Sequence, residues 1–335
     1  MPMSTWLWRA AVAMLVACAL SPGLLRAEVS SVRISKQYGL PYLSLAIVEQ
    51  QRLIEKHARI AGLGEVKVEW VTIGSGGSAT DSMLAGGIDL VSTGASNMLL
   101  LWSRTGGQVK GLGATGTLPI LLVARDPKVK TIADLGDRDR IAVPTVKVSI
   151  QSTILGIAAT RMYGSAGRKR FDAMTVAMAH PDATIALLSG TELTAHFSAP
   201  PYQYEELKAP GVHAILDSTE LMGGPTTITT LFGTVRFHDA NPRLMAAIVA
   251  ALREATAFAA AHRHEAAELY LRVSHDRIGA DALADMLGRP GFVFTVAPAG
   301  IQQYADQMYE TGVIKTRPGS WKDVFFPEVH DLPGS

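Results

Sequence analysis

Ala79-Thr80-Asp81-Ser82-Met83-Leu84-Ala85-Gly86, followed by Ile88-Asp89-Leu90, returns 104 residues later as Ala183-Thr184-Ile185-Ala186-Leu187-Leu188-Ser189-Gly190, followed by Thr191-Glu192-Leu193. Each copy reads as a short helix, a glycine stop and a strand. Gly86 and Gly190 fall where a left-handed residue ends a helix. Common α/β units can share such a pattern by chance. The equal placement of the copies within their halves favours two lobes of similar fold, with equivalent elements facing one cleft.

Outward from these copies, strands and helices alternate. Strands are expected over 32–35, 66–71, 88–92, 140–143, 174–178 and 193–197, with helices over 43–61, 149–163 and 182–189 and one beginning at Ser78. Ser78 and Asp81 form a candidate capping pair. The alternation predicts an α/β fold with mostly parallel sheets. From Asn241 the pattern changes, and helices are expected over 244–261, 265–272, 280–287 and 299–310. A chain of 335 residues suits two domains better than one core.

Hydrophobic residues make up 48% and charged residues 18%, ordinary for a globular protein. Lys plus Arg (31) nearly equals Asp plus Glu (30), which argues against a nucleic-acid binder. The N-terminus reads as a secretory signal over 1–27. Arg9 precedes the apolar run from Ala10 to Leu20, Ser21-Pro22-Gly23 breaks it, and Leu25-Arg26-Ala27 offers a cleavage site. Such a run is too short to span a ~30 Å hydrocarbon layer as a helix. Leu15-Val16-Ala17-Cys18 also fits a lipoprotein box, so a lipid-anchored form is the alternative to simple cleavage. Cys18 is the only cysteine. Cleavage at Ala27 leaves no thiol, which excludes disulfides, cysteine nucleophiles and Cys-ligated zinc.

Gly111-Leu112-Gly113-Ala114-Thr115-Gly116 matches the dinucleotide fingerprint G-x-G-x-x-G, but a strand-like segment, 117–123, follows where a helix is required. A crossover between two domains is the expected role. Gly74-Ser75-Gly76-Gly77-Ser78 joins a strand to a helix start, where free backbone N–H groups suit an anion or carbonyl; a plain tight turn fits equally. Pro144-Thr145-Val146-Lys147-Val148-Ser149 is expected to hold a similar place in the second half. Lys147 either adds charge there or is solvated. His262-Arg263-His264-Glu265 lacks metal-site spacing. His180, beside Pro181, reads as structural. His196 is a candidate ligand donor or a core histidine. No nucleophile elbow, P-loop or paired carboxylate is present.

Several stretches together resemble one family: Tyr38-Gly39-Leu40-Pro41-Tyr42, Val68-Glu69-Trp70, and Leu84-Ala85-Gly86-Gly87-Ile88-Asp89 with Thr93-Gly94. Ala142-Val143-Pro144, Pro181-Asp182-Ala183 and Pro200-Pro201-Tyr202 continue the match in the second half. The chain resembles the nitrate/sulfonate/taurine class of ABC-transporter substrate-binding proteins, related to the thiamine-precursor-binding group. The resemblance runs from Val32 to about Arg272. It implies a type II periplasmic-binding-protein fold, with lobe I over 28–118 and 224–335, lobe II over 119–223, and ligand between them. It implies a non-catalytic periplasmic monomer that captures a small organic anion or heterocycle by hinged closure and meets a permease and an ATPase at the inner membrane. It implies no cofactor and no metal.

The family's ligand loops fall here on five segments, 37–42, 75–78, 93–97, 147–149 and 196–202. Tyr38, Leu40 and Tyr42 lie on the first, and Ser75, Gly76, Gly77 and Ser78 on the second. Thr93 and Gly94 lie on the third, Lys147 and Ser149 on the fourth, and His196, Ser198 and Pro200 on the fifth. Val148-Ser149 stands where sulfonate binders tend to have Gly-Ser, and His196, Ala199, Pro200 and Pro201 stand where they often have Trp-x-x-Trp-Asp-Pro. An enzyme on the same fold, acting on a small pyrimidine-like or anionic substrate, is the alternative.

Overall fold

A computed structural model describes residues 27–190, 193–274 and 276–335. The expected signal segment, apart from Ala27, lies outside the described residues. Two five-stranded sheets organise the chain. The first has the order β2-β1-β3-β10-β4, with β1 (Ser31–Lys36), β2 (Lys67–Thr72), β3 (Leu90–Gly94), β4 (Val109–Thr117) and β10 (Thr227–Thr234). The second has the order β7-β6-β8-β5-β9, with β5 (Leu121–Ala124), β6 (Ile141–Val143), β7 (Thr175–Ala177), β8 (Ala195–Ser198) and β9 (His213–Asp217). In each sheet four strands run one way and one, β10 in the first and β5 in the second, runs against them, so the sheets share one topology. β3 and β6 are buried along their whole length, which explains their unbroken apolar or small residues.

The repeated sequence occupies equivalent places in these sheets. Its first copy lies on α3 (Gly76–Leu84), between β2 and β3, and its second on α6 (His180–Ser189), between β7 and β8. The expected helix over 43–61 is two helices, α1 (Leu43–Gln50) and α2 (Leu53–Ile60). Arg52 between them takes φ 51, a left-handed backbone that no continuous helix holds. α4 (Ala95–Arg104) follows β3 directly, and α5 (Ile150–Gly167) follows β6. Short helices α7 (Tyr202–Glu206), α8 (Ser218–Met222) and α9 (Val235–Ala240) precede the helical C-terminal region. That region holds α10 (Pro242–Ala261), α11 (Arg263–Ser274), α12 (Ala280–Leu287) and α13 (Ile301–Glu310), close to expectation. α10 is apolar enough to cross a bilayer by composition, but its inner face, including Leu244, Ile248 and Leu252, is packed in the core.

Gly111–Gly116 is not a crossover. It is the body of β4, paired along β10, a strand that the sequence pattern did not reveal. Its glycines permit close packing. A Cβ at Gly111 would lie 2.4 Å from the Phe325 ring, and one at Gly116 2.4 Å from the Pro41 carbonyl oxygen. The crossovers lie at 118–120 and 218–226, and they are tied together. Ile120 N–H donates to Ser218 Oγ at 2.9 Å, and Ser218 N–H to Ile120 O at 3.1 Å.

Candidate functional site

Between the two sheets lies a cleft of about 490 Å³, counted out to its open mouth. The starts of four helices line it: Gly76 of α3, Gly94 and Asn97 around the start of α4, Ile150 and Gln151 of α5, and His180 of α6. A helix start carries N–H groups without intrahelical partners and the positive end of the dipole. Several of the local caps are explicit. Ser75 Oγ accepts from Ser78 N–H at 3.1 Å, and Ser149 Oγ accepts from Ser152 N–H at 3.3 Å. Ser75, not Ser78, is therefore the cap of α3, and the N–H groups of Gly76 and Gly77 are left over.

Gly76 has no room for a side chain. A Cβ there would sit 2.4 Å from Thr93 Oγ1 and 3.1 Å from both polar atoms of the Asn97 amide. Gly77 is different, since its Cβ would meet only Thr145 Cγ2 at 3.6 Å and Ser75 Oγ at 3.8 Å. Thr93 and Tyr42 hydroxyls both donate to Gln37 Oε1, each at 2.7 Å, which holds that amide at the cleft wall. Burial pushes the Tyr42 phenol well above its ordinary pKa, so it stays a neutral donor.

The wall holds no Lys, Arg, Asp or Glu among the described residues. Lys36, next to Gln37, is paired with Glu49 and turned over the Trp70 ring. Any negative charge in the cleft would be met by backbone N–H groups, amides and hydroxyls. Direct bonds join the two sides. Ser96 Oγ donates to Val148 O at 2.7 Å, and Leu40 N–H donates to Pro200 O at 2.8 Å. A third link joins α13 to α5, where Gln307 Nε2 donates to Thr160 Oγ1 at 3.1 Å.

Of the candidate residues, the fold brings Tyr38, Tyr42, Gly76, Thr93, Gly94 and Ser149 to the cleft. The others lie elsewhere. Leu40 is buried and lines a separate apolar hollow with Leu43 and Phe294. Ser75, Gly77 and Ser78 build the start of α3 without lining the cleft. Lys147 is exposed, takes φ 67, and lines a different hollow beside Arg168 and Asp172. His196 is fully buried behind the wall, and Ser198 Oγ is buried without a partner among the described residues. Pro200, which precedes a cis bond to Pro201, contributes its carbonyl to the contact with Leu40.

The expected kinship between 74–78 and 144–149 is also shifted. The second segment follows β6, the counterpart of β1, so its equivalent is 37–42. The counterpart of 74–78 is the segment between β7 and α6 that ends at His180. His180, read from sequence as structural, lines the cleft, while His196 does not. Gln37, Asn97, Thr145 and Gln151 were not singled out from sequence. Gln37 and Asn97 lie on the ligand loops that the resemblance marked, and that was their only signal.

No protein-family model matches this chain, and no curated protein matches it by sequence. Solved structures do. The alkanesulfonate-binding protein SsuA from Xanthomonas axonopodis pv. citri, bound to MOPS, is similar with TM-score 0.69 at 20% identity, covering 89% of this chain and 99% of that one. The periplasmic aliphatic sulphonate binding protein SsuA from Escherichia coli gives TM-score 0.65 at 23% identity, covering 92% and 95%. The periplasmic nitrate-binding protein NrtA from Synechocystis PCC 6803 gives TM-score 0.66 at 13% identity, covering 88% and 84%. At these identities the likeness establishes the fold: this chain has the periplasmic-binding-protein fold.

Proposed function

We propose that this chain is the periplasmic solute-binding component of an ABC importer of the nitrate/sulfonate/taurine class, and that it captures a small organic anion or heterocycle in the cleft. The observation that carries this reading is the convergence of four helix starts on a cleft whose wall has no charged side chain. Helix starts favour negative charge, and neutral donors hold an anion without the desolvated counter-charge that would slow release. The sulfonate- and nitrate-binding proteins of the same fold support the same ligand class.

In this reading lobe I comprises 28–118 and 224–335, lobe II comprises 119–223, and ligand contacts both. The paired crossovers at 118–120 and 218–226 act as the hinge. Contacts such as Ser96 to Val148 form on closure, so a ligand that touches both lobes shifts the population toward the closed form. The closed monomer then meets the permease and ATPase at the inner membrane. Gln37, Tyr38, Tyr42, Gly76, Thr93, Gly94, Asn97 and Ser149 are the proposed contacts. The structures it resembles are of solute-binding proteins, and no observation favours the enzymatic alternative.

The test is to purify the protein under native conditions without added ligand, denature it, and identify what is released by mass spectrometry. A small acid or heterocycle in near-stoichiometric amount is expected. If nothing is released, and calorimetry detects no binding of sulfonates, carboxylates or nitrate, the reading fails.

A further inference from the structure

A line of polar groups runs from the cleft wall into the interior of the second lobe. Gln151 Nε2 lies 3.4 Å from His180 Nε2, and His180 Nδ1 lies 2.8 Å from His196 Nε2. His196 Nδ1 lies 2.6 Å from Glu206 Oε1, which also accepts from Thr184 Oγ1 at 2.6 Å. His196 and Glu206 are fully buried, and His180 is 9% exposed, at the cleft. The sequence pointed to neither Glu206 nor the link between the two histidines.

The chemistry of the two ends sets the direction of the line. An amide nitrogen only donates, so His180 Nε2 must accept from Gln151. A carboxylate only accepts, so His196 Nδ1 must carry a proton for Glu206. For two uncharged rings both ends set the same arrangement, with the hydrogen on Nδ1 and the lone pair on Nε2 of each. The opposite direction would set the Gln151 N–H against a second N–H, and would need a proton on the oxygen that already accepts from Thr184. Burial, and next the neighbouring His196, push the His180 pKa well below its ordinary value, which keeps the ring uncharged around neutral pH. Other ionisable groups surround the ring. Tyr202 stacks on it at 5.9 Å and is held protonated by burial and by Asp276. Asp182 lies in the first turn of the same helix, Glu205 is on α7, and Tyr38 and Tyr42 face it from the first lobe across the cleft. The two carboxylates by themselves would favour a charged ring, and burial outweighs them.

We propose that His180 Nε2 is a hydrogen-bond acceptor of fixed direction in the cleft, and that it selects ligands bearing an N–H or O–H donor beside their acidic group over bare anions. His196 and Glu206 are positioning residues that hold its tautomer. This rests on the cleft being the ligand site. The Gln151 contact is longer than the usual ~2.9–3.0 Å, and Nε2 has one lone pair, so a ligand donor replaces the amide there. A ligand with only acceptors at this point meets a lone pair and is disfavoured.

Matched probes read the selection. Calorimetry compares 2-hydroxyethanesulfonate with ethanesulfonate, and 3-hydroxypropionate with propionate, pairs of equal charge, on the full exported protein. The donor-bearing member of each pair should bind about five- to tenfold tighter, the size of one hydrogen bond. In His180→Phe, which keeps an aromatic ring over Tyr202, that ratio should fall to about one, whatever the change in the affinity of both members. A purely structural role for His180 would weaken both members alike. Equal affinities in the wild type, or a ratio unchanged in the variant, overturns the proposal. Long-range proton–nitrogen NMR on histidine-labelled wild type reads the tautomer without any ligand. It should show His180 protonated on Nδ1 and bare on Nε2 around neutral pH. A proton on Nε2 overturns the proposal even if no probe binds, and absence of probe binding with the expected tautomer counts against the anion-binding reading of the cleft instead.

Discussion

Replacing Gly76 by alanine adds one methyl group to the most crowded point of the cleft. The new Cβ would stand 2.4 Å from Thr93 Oγ1 and 3.1 Å from the Asn97 amide. Comfortable contact needs roughly 3.5 Å, so the threonine hydroxyl must retreat by about 1 Å. Thr93 is 2% exposed, branched at Cβ and bound to Gln37 at 2.7 Å, so it cannot turn away freely. Overpacking of this kind costs about 1–3 kcal/mol, and the lost hydrogen bond about 1 kcal/mol more. At about 2–4 °C per kcal/mol, Gly76→Ala should lower the melting temperature by several degrees. It should also abolish capture of whatever acid is released from the native protein, because the methyl displaces both Thr93 and Asn97. Gly77→Ala is the control. Its methyl meets only ordinary contacts, and alanine in a first helical turn restricts the unfolded chain, so stability should hold or rise by up to ~1 kcal/mol. Circular-dichroism melts and calorimetry on the two variants decide the matter. If Gly76→Ala melts with the wild type and keeps its affinity, or if Gly77→Ala falls as far, the close-contact reasoning is wrong.

If the lobes close on ligand as proposed, Ser96→Ala, which removes the hydroxyl that reaches Val148 O across the cleft, should weaken ligand affinity by about 1 kcal/mol, or roughly fivefold. Unchanged affinity, with small-angle scattering showing the same ligand-bound radius, would remove that contact from the closure mechanism. Lys147→Ala should leave affinity unaltered, since the side chain lies outside the cleft; a clear loss in calorimetry would return Lys147 to the site. His238 stacks on Phe326 and bonds to Glu328 and Asp239. Burial alone would lower its pKa, but these carboxylates outweigh burial and raise it. A raised folded-state pKa stabilises fully below the unfolded value of about 6.5 and is lost as pH rises through the folded value. Melts of wild type should therefore lose stability relative to His238→Gln across that interval, and parallel pH profiles would refute the assignment.

Local chemistry explains what could be read along the chain. The alternation of strand and helix, the helical tail, and the two copies at Ala79 and Ala183 are written in residue type and period, because each element buries one face and ends at its own glycine or cap. Copies of one local pattern imply copies of one local unit, and α3 and α6 occupy matching places. The loops carrying Gly76 and Ser149 were legible for the same reason, since each follows a strand and precedes a helix, whereas Tyr38, Tyr42, Thr93 and Gly94 were marked only by the family resemblance. The pairing of β4 with β10 was not legible, because β10 meets a glycine-rich partner 110 or more residues earlier in the chain, and nothing local in either records the other. The same distance hid the roles of the histidines. His180 and His196 are alike as letters. Only the folding of β8 and α7 behind α6 places His196 against Glu206 and leaves His180 facing the cleft, and the hydrogen-bond partners that set each ring's direction meet only once the chain has folded around them.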